Sequence, residues 1–156
     1  MIIKGIDAQL WAERYLTSYL CRCNGECNYI RIDKRLIMAD LLLDEVRPLG
    51  ALEEISSGLR CPVHNAQSGG HPNSSHMYGR VEDRYTGTIT LADAYTLLKD
   101  LGAYKGIGLY IGKNHKPFVH MEIRETERVW GRIDGIYISG MKGINAVLEE
   151  ERRRSE

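Results

Sequence analysis

The sequence has little of what usually announces a partner. Its 156 residues carry 21 basic and 21 acidic side chains, so the formal charge is zero. A dedicated nucleic-acid binder carries a basic excess that neutralises phosphates, and that class is not expected here. Long apolar runs are missing as well. The stretch around residues 41–43 is far shorter than the about 20 residues that span a bilayer, so no membrane partner is expected. The first residues, Met-Ile-Ile-Lys-Gly-Ile-Asp, lack the basic region, apolar run and small-residue cleavage site of a secretory signal. The expectation is a protein made in the cytoplasm, delivered by other means if its substrate lies outside. Repeats, low-complexity tracts and long linkers are also missing. One domain over residues 1–156 is therefore expected, as a monomer.

Cysteine is scarce but unevenly placed. Cys21, Cys23 and Cys27 share one Gly/Asn-containing loop, and Cys61 stands alone after Arg60. Three readings stand side by side: buried thiols, a structural zinc knot with all four as ligands, or one or two disulfides.

What is present reads as helices first and strands later. Leu10, Trp11, Tyr15 and Leu16 recur at helical spacing between residues 7 and 19, with Asp7 as the N-cap. A second helix starts at Asp33, carries Leu36, Ala39, Leu43 and Val46 on one face, and stops at Pro48. Residues 52–57 suit a short strand. Residues 56–85 are dominated by Gly, Ser, Asn, Pro and His and read as a long irregular loop, a place where function concentrates. Thr90 and Asp93 then open a helix as a capping box. Alternating segments near residues 107–111, 118–123 and 129–133 predict antiparallel strands, and a charged helix from about Gly143 closes the chain. The fold class is α+β, a small antiparallel sheet flanked by helices.

Chemistry gathers on the loop and on one strand. His64, His71 and His76 fall in the loop, while His120 sits mid-strand. Alternation puts Phe118, His120 and Glu122 on one face, with Val119, Met121 and Ile123 on the other. Taken alone, that polar stripe is an ordinary solvent-facing edge. His76 is followed by Asp83 seven residues on. A catalytic zinc takes three protein ligands and keeps one position open, and His, Asp and His form an acceptable set. The spacing by itself is a weak signal, for no HExxH helix accompanies it.

The motifs together are more specific. Ser57-Gly58-Leu59-Arg60, Gly69-Gly70-His71-Pro72-Asn73-Ser74, Ser75-His76-Met77-Tyr78-Gly79-Arg80-Val81-Glu82-Asp83 and Phe118-Val119-His120-Met121-Glu122 resemble the zinc D-Ala-D-Ala carboxypeptidase family. That family includes phage L-Ala-D-Glu endopeptidases, and its metal core is similar to that of the hedgehog signalling domain. Gly106-Ile107-Gly108-Leu109-Tyr110, Arg128-Val129-Trp130-Gly131 and the Cys-x-Cys loop extend the likeness over roughly residues 20–135.

The resemblance implies a hedgehog/D-Ala-D-Ala peptidase-like fold and zinc-dependent hydrolysis of peptidoglycan stem peptides, in the setting of a phage or prophage lysin. It implies one catalytic Zn²⁺ held by His76, Asp83 and His120. Arg60 matches an arginine that binds a substrate carboxylate or steadies the oxyanion. Asn73 and Ser75 are candidate substrate contacts, equally suited to shaping the loop. Glu122 is the candidate general base, with His115 as its rival. A second, structural Zn²⁺ or disulfides at the cysteines stay open. The alternative function is a non-catalytic zinc domain used in binding or assembly. Three departures from the family pattern stand out: Leu59 for Tyr, Val81-Glu82 for small and apolar residues, and Glu122 for Asp.

Overall fold

The computed structural model of the protein describes residues 5–21 and 27–156; Cys23 lies outside them. The elements run α1 (Gly5–Tyr19), α2 (Lys34–Val46), β1 (Ile55–Ser57), α3 (Pro62–Gln67), a single 3-10 turn (Ser75–Tyr78) and β2 (Val81–Tyr85). They continue as α4 (Leu91–Leu101), β3 (Gly106–Ile111), β4 (Phe118–Glu122), β5 (Arg128–Ile133), β6 (Ile136–Ser139) and α5 (Gly140–Ser155). The six strands form one sheet in the order β1-β2-β4-β3-β5-β6. This is the expected α+β class, with one difference: β3 and β5 pair parallel while the other neighbours are antiparallel.

Burial explains the layering. Ile107, Leu109, Ile111, Val119 and Met121 point to one face of the sheet, where Trp11 and Tyr15 of α1, Leu36 and Leu43 of α2, Leu91 and Leu98 of α4, and Ile144 and Val147 of α5 cover them. Such alternation buries every second side chain and leaves the other face open. The open face carries His120 and Glu122. Among the described residues no helix is long and apolar enough to cross a membrane.

Local signals set most boundaries. The Asp33 side chain accepts the Arg35 N–H at 2.9 Å and caps α2. Thr90 Oγ1 accepts the Asp93 N–H at 3.0 Å and caps α4, and Gly102 ends that helix at φ 68°. Elsewhere the structure differs from expectation. Asp7 lies inside the first turn of α1 rather than capping it, where its charge complements the helix dipole. The strand expected over residues 52–57 is confined to Ile55–Ser57, and α5 starts at Gly140. The region 56–85 is not an irregular loop throughout. Cys61 caps α3 with Pro62 in its first turn, Ser74 caps the 3-10 turn, and β2 exists because β4 pairs with it. The unexpected strand β6 follows a two-residue turn in which Asp134 (φ 47°) and Gly135 (φ 87°) both take the left-handed conformation that favours tight hairpins.

Strand β2 also sends charge into the core. Glu82 and Arg84 are wholly buried on the helix side, and Arg84 bonds Glu82, lies 3.3 Å from Asp40 and donates to the Leu52 carbonyl at 2.9 Å. Asp40 in turn accepts from Trp11 Nε1 and Tyr104 Oη, each at 2.6 Å. The arginine also lies over the Tyr15 ring, 4.3 Å from its centroid. Burial and the Asp40 charge push the Glu82 carboxyl well above the ordinary range, while Arg84 pulls against them.

Candidate metal centre

The register of two strands brings the site together. Asp83 of β2 lies directly opposite His120 of β4, so the two side chains rise from the open face as a cross-strand pair. His120 Nδ1 is 2.9 Å from Asp83 Oδ1. His76 arrives from the 3-10 turn, its Nε2 3.4 Å from Asp83 Oδ2. Gly79, in the left-handed conformation at φ 66°, turns the chain from that 3-10 turn into β2. A Cβ there would stand 2.1 Å from the Arg31 carbonyl, so a side chain would displace the segment that holds His76.

The ligand atoms of His76, Asp83 and His120 all lie within 4.8 Å of one another. His76 Nδ1 donates to the Gly58 carbonyl at 2.6 Å, a bond that fixes the tautomer and leaves Nε2 with its lone pair toward Asp83. His120 packs on His76, with centroids 5.4 Å apart, and on Trp130 at 4.9 Å.

Two carboxylates give the place its sign. Burial opposes the charge of Asp83, yet the neighbouring His76 and His120 hold its carboxyl well below the usual range. Burial likewise pushes Glu122 up, but hydrogen bonds from His120 and Ser75 and the charges of His120 and Arg124 bring it to about 2. His120 shows the reverse: burial lowers it, and Asp83 and Glu122 raise it above the ordinary imidazole value. The pocket is an anionic well that favours a proton on His120, and a divalent cation satisfies the same field. Two imidazole nitrogens and one carboxylate, with the Gly58 carbonyl holding His76 in place, form a donor set that fits zinc.

Around these groups opens a groove of about 670 Å³ lined by residues that include His71, Asn73, Ser75, Glu122, Arg124 and Arg128. Ser75 Oγ donates to Glu122 Oε1, while Glu122 Oε2 stands 3.7 Å from His120 Nε2 and 3.4 Å from Arg124 Nη1. Asn73 donates its backbone N–H to His71 Nδ1 at 3.1 Å and lines the groove. Arg60 is bound through Nε and Nη2 to Ser57 Oγ and lies 3.8 Å from Asp83 Oδ2, on the side of the cluster facing β1. His115 sits apart, exposed on the β3–β4 turn, where its Nδ1 donates to the Lys116 carbonyl at 2.9 Å and its ring leans on Phe118. It lines a separate depression of about 580 Å³ with Lys113 and Arg132.

Arg124 and Arg128 were not among the residues read from the sequence as site candidates. Arg124 had a signal, because it continues the alternation of His120 and Glu122. Arg128 stood only within the Arg128-Val129-Trp130-Gly131 likeness, and nothing local placed it in the groove, which β5 reaches through its parallel pairing with β3.

The sequence profile of the Peptidase M15 family matches residues 31–122. The chain belongs to the Peptidase M15 family. Among curated proteins none matches the chain. Peptidase M15 proteins are zinc metallopeptidases, D-Ala-D-Ala carboxypeptidase-like members among them, and the donor chemistry of His76, Asp83 and His120 agrees with that family.

The glycines of β3 have a steric role in this M15 chain. Gly108 pairs with His120 on one side and Trp130 on the other. A Cβ at Gly108 would come within 2.3 Å of the Trp130 ring, which lies across the strand. Gly108→Ala is therefore expected to push the indole off His120 and to lower stability by about 1–3 kcal/mol, the scale of overpacking. Denaturant titration with tryptophan fluorescence checks both. An unchanged midpoint and emission would show that the indole is not held there.

Proposed function

We propose that this protein is a zinc-dependent peptidase acting on peptidoglycan stem peptides, with His76, Asp83 and His120 as the ligands. The observation that carries the reading is the convergence of two imidazoles and a carboxylate, with His120 of that set and a second carboxylate, Glu122, lining an open groove. When bound, zinc supplies a Lewis acid that polarises the scissile carbonyl and brings the pKa of a water toward neutrality. Glu122 is the general base: it takes the proton from the attacking water and returns it to the leaving amine. Ser75 holds Oε1, which leaves Oε2 turned toward His120. Arg124 and Arg128 in the groove suit the carboxylates of a stem peptide, and Arg60 places a further guanidinium beside Asp83. The likeness to phage endopeptidases supports a lysin setting.

The test is digestion of purified peptidoglycan followed by mass spectrometry of the muropeptides. We expect cleaved stem peptides, loss of cleavage with a chelator and recovery with Zn²⁺. Cleavage indifferent to chelation would sink the zinc mechanism. A protein that holds zinc yet leaves every stem peptide intact would be a binding domain instead.

The general base has its own prediction. Glu122→Gln should keep zinc and lose about 10²-fold in kcat, the usual scale for removing a base. His115→Ala should cost less, since its ring faces a separate depression. The opposite ranking would move the base to His115.

A further inference from the structure

A second cluster of metal-ligating groups includes Cys61, the residue that follows Arg60. The ligand atoms of Cys21, Cys27 and Cys61 are all within 4.8 Å of one another. His64 Nδ1 stands 3.4 Å from Cys21 Sγ. We propose that Cys21, Cys27, Cys61 and His64 form a structural zinc site, three thiolates and one imidazole, separate from the catalytic centre.

Geometry supports the assignment. In a tetrahedral site with ordinary bond lengths, a sulfur and a nitrogen ligand stand about 3.5 Å apart and two sulfurs roughly 3.8 Å apart. The sulfur–nitrogen separation of 3.4 Å matches the first, and sulfurs within 4.8 Å of one another are close enough to contract onto an ion. The backbone adds a sign. The Cys61 N–H donates to Cys21 Sγ at 3.3 Å, and the His64 N–H donates to Cys61 Sγ at 3.4 Å. Amides aimed at sulfur favour the thiolate, the form that binds metal. Cys61 and His64 stand three residues apart across the start of α3, so one turn presents both. A borderline-soft cation uses all four groups, and zinc is the common one for such a set.

The place of the knot in the fold gives it a purpose. Residues 58–59 are pressed against the end of α1: the Leu59 N–H donates to the Tyr19 carbonyl at 2.7 Å, and a Cβ on Gly58 would stand 2.4 Å from that same oxygen. The Gly58 carbonyl is the partner that orients His76. An ion joining Cys21 and Cys27 to Cys61 fastens both ends of this contact and so steadies a catalytic ligand from a distance.

The experiment counts metal in the full chain, purified under reducing conditions, by mass spectrometry of the elements. Wild type should hold two zinc ions, and His76→Ala and Cys61→Ser one each. Cobalt replacement reads the ligand type. Wild type and His76→Ala should show strong near-ultraviolet charge transfer from thiolate to Co²⁺, and Cys61→Ser should not. His64→Ala should weaken retention of that ion and lower the melting temperature by several degrees. One zinc per wild-type chain, a cobalt protein without the thiolate band, or disulfides found among these cysteines would overturn the site. Loss of the second ion in Cys23→Ser but not in His64→Ala would remove His64 from the ligand set. These outcomes leave the catalytic reading intact, because cleavage and the His76 ion are read separately.

Discussion

Replacing His120 with alanine should leave a folded protein that no longer retains zinc tightly at the catalytic centre and no longer cleaves its substrate. The fold should survive because β4 is anchored from its other face, where Val119 and Met121 are fully buried in the core. The metal should not survive. His120 is the cross-strand partner of Asp83 and the group toward which both Asp83 and Glu122 are turned. Without it the well keeps its negative charge but offers one imidazole instead of two, and a catalytic zinc needs three protein ligands. Losing several kcal/mol of transition-state stabilisation corresponds to roughly 10³-fold or more in kcat/KM. His76→Ala should behave alike and also lose about 1 kcal/mol of stability, because the Gly58 carbonyl is left without its donor. Both variants are compared with metal-stripped wild type by metal analysis and thermal melting. A His120→Ala protein that keeps its zinc and its rate would show that the ion, if any, sits elsewhere.

Why the candidate ligands were readable and their meeting was not follows from range. Period-two alternation is local, so the pairing of His120 with Glu122 on one face, opposite Val119 and Met121, shows in five residues. The register that sets Asp83 against His120 joins positions 37 apart and leaves no mark in either segment. Strand β2 itself hides for a physical reason. Val81-Glu82-Asp83-Arg84-Tyr85 has three consecutive charged residues, and a charged run in a Gly/Ser-rich neighbourhood reads as solvated loop. It is a strand because Glu82 and Arg84 neutralise each other against Asp40, a partner supplied by α2. The turn before β6 was legible in Asp134-Gly135. The parallel pairing of β3 with β5, which brings Arg128 to the groove, was not. His64 shows the same limit. Its contact with Cys21 joins residues 43 apart, so it stood in the sequence as one loop histidine among three.

The buried charge behind Asp83 carries the largest expected loss of stability. Arg84→Met removes the one cation seen among the described residues beside Asp40 and Glu82, each 0% exposed. Methionine fills much of the volume, so the loss is chiefly electrostatic. Asp40 keeps its bonds from Trp11 and Tyr104, but Glu82 and the Leu52 carbonyl lose their donor. Stranding one side of a buried pair costs about 3–5 kcal/mol. In a domain of this size that lowers the melting temperature by roughly 10 °C. Removing both charges should be gentler. Glu82→Leu combined with Arg84→Met leaves Asp40 with its two neutral donors, and such apolar replacements of buried pairs are often near neutral. The recovery in the double variant separates an electrostatic loss from simple damage to the strand. It also bears on the site, because Asp83 stands between the two replaced positions and is held in register by their burial. The double variant should therefore regain zinc retention along with stability. If Arg84→Met melted within a degree or two of wild type, the cluster would not be holding β2 in place. The departure of Glu82 from the family pattern would then be without structural consequence.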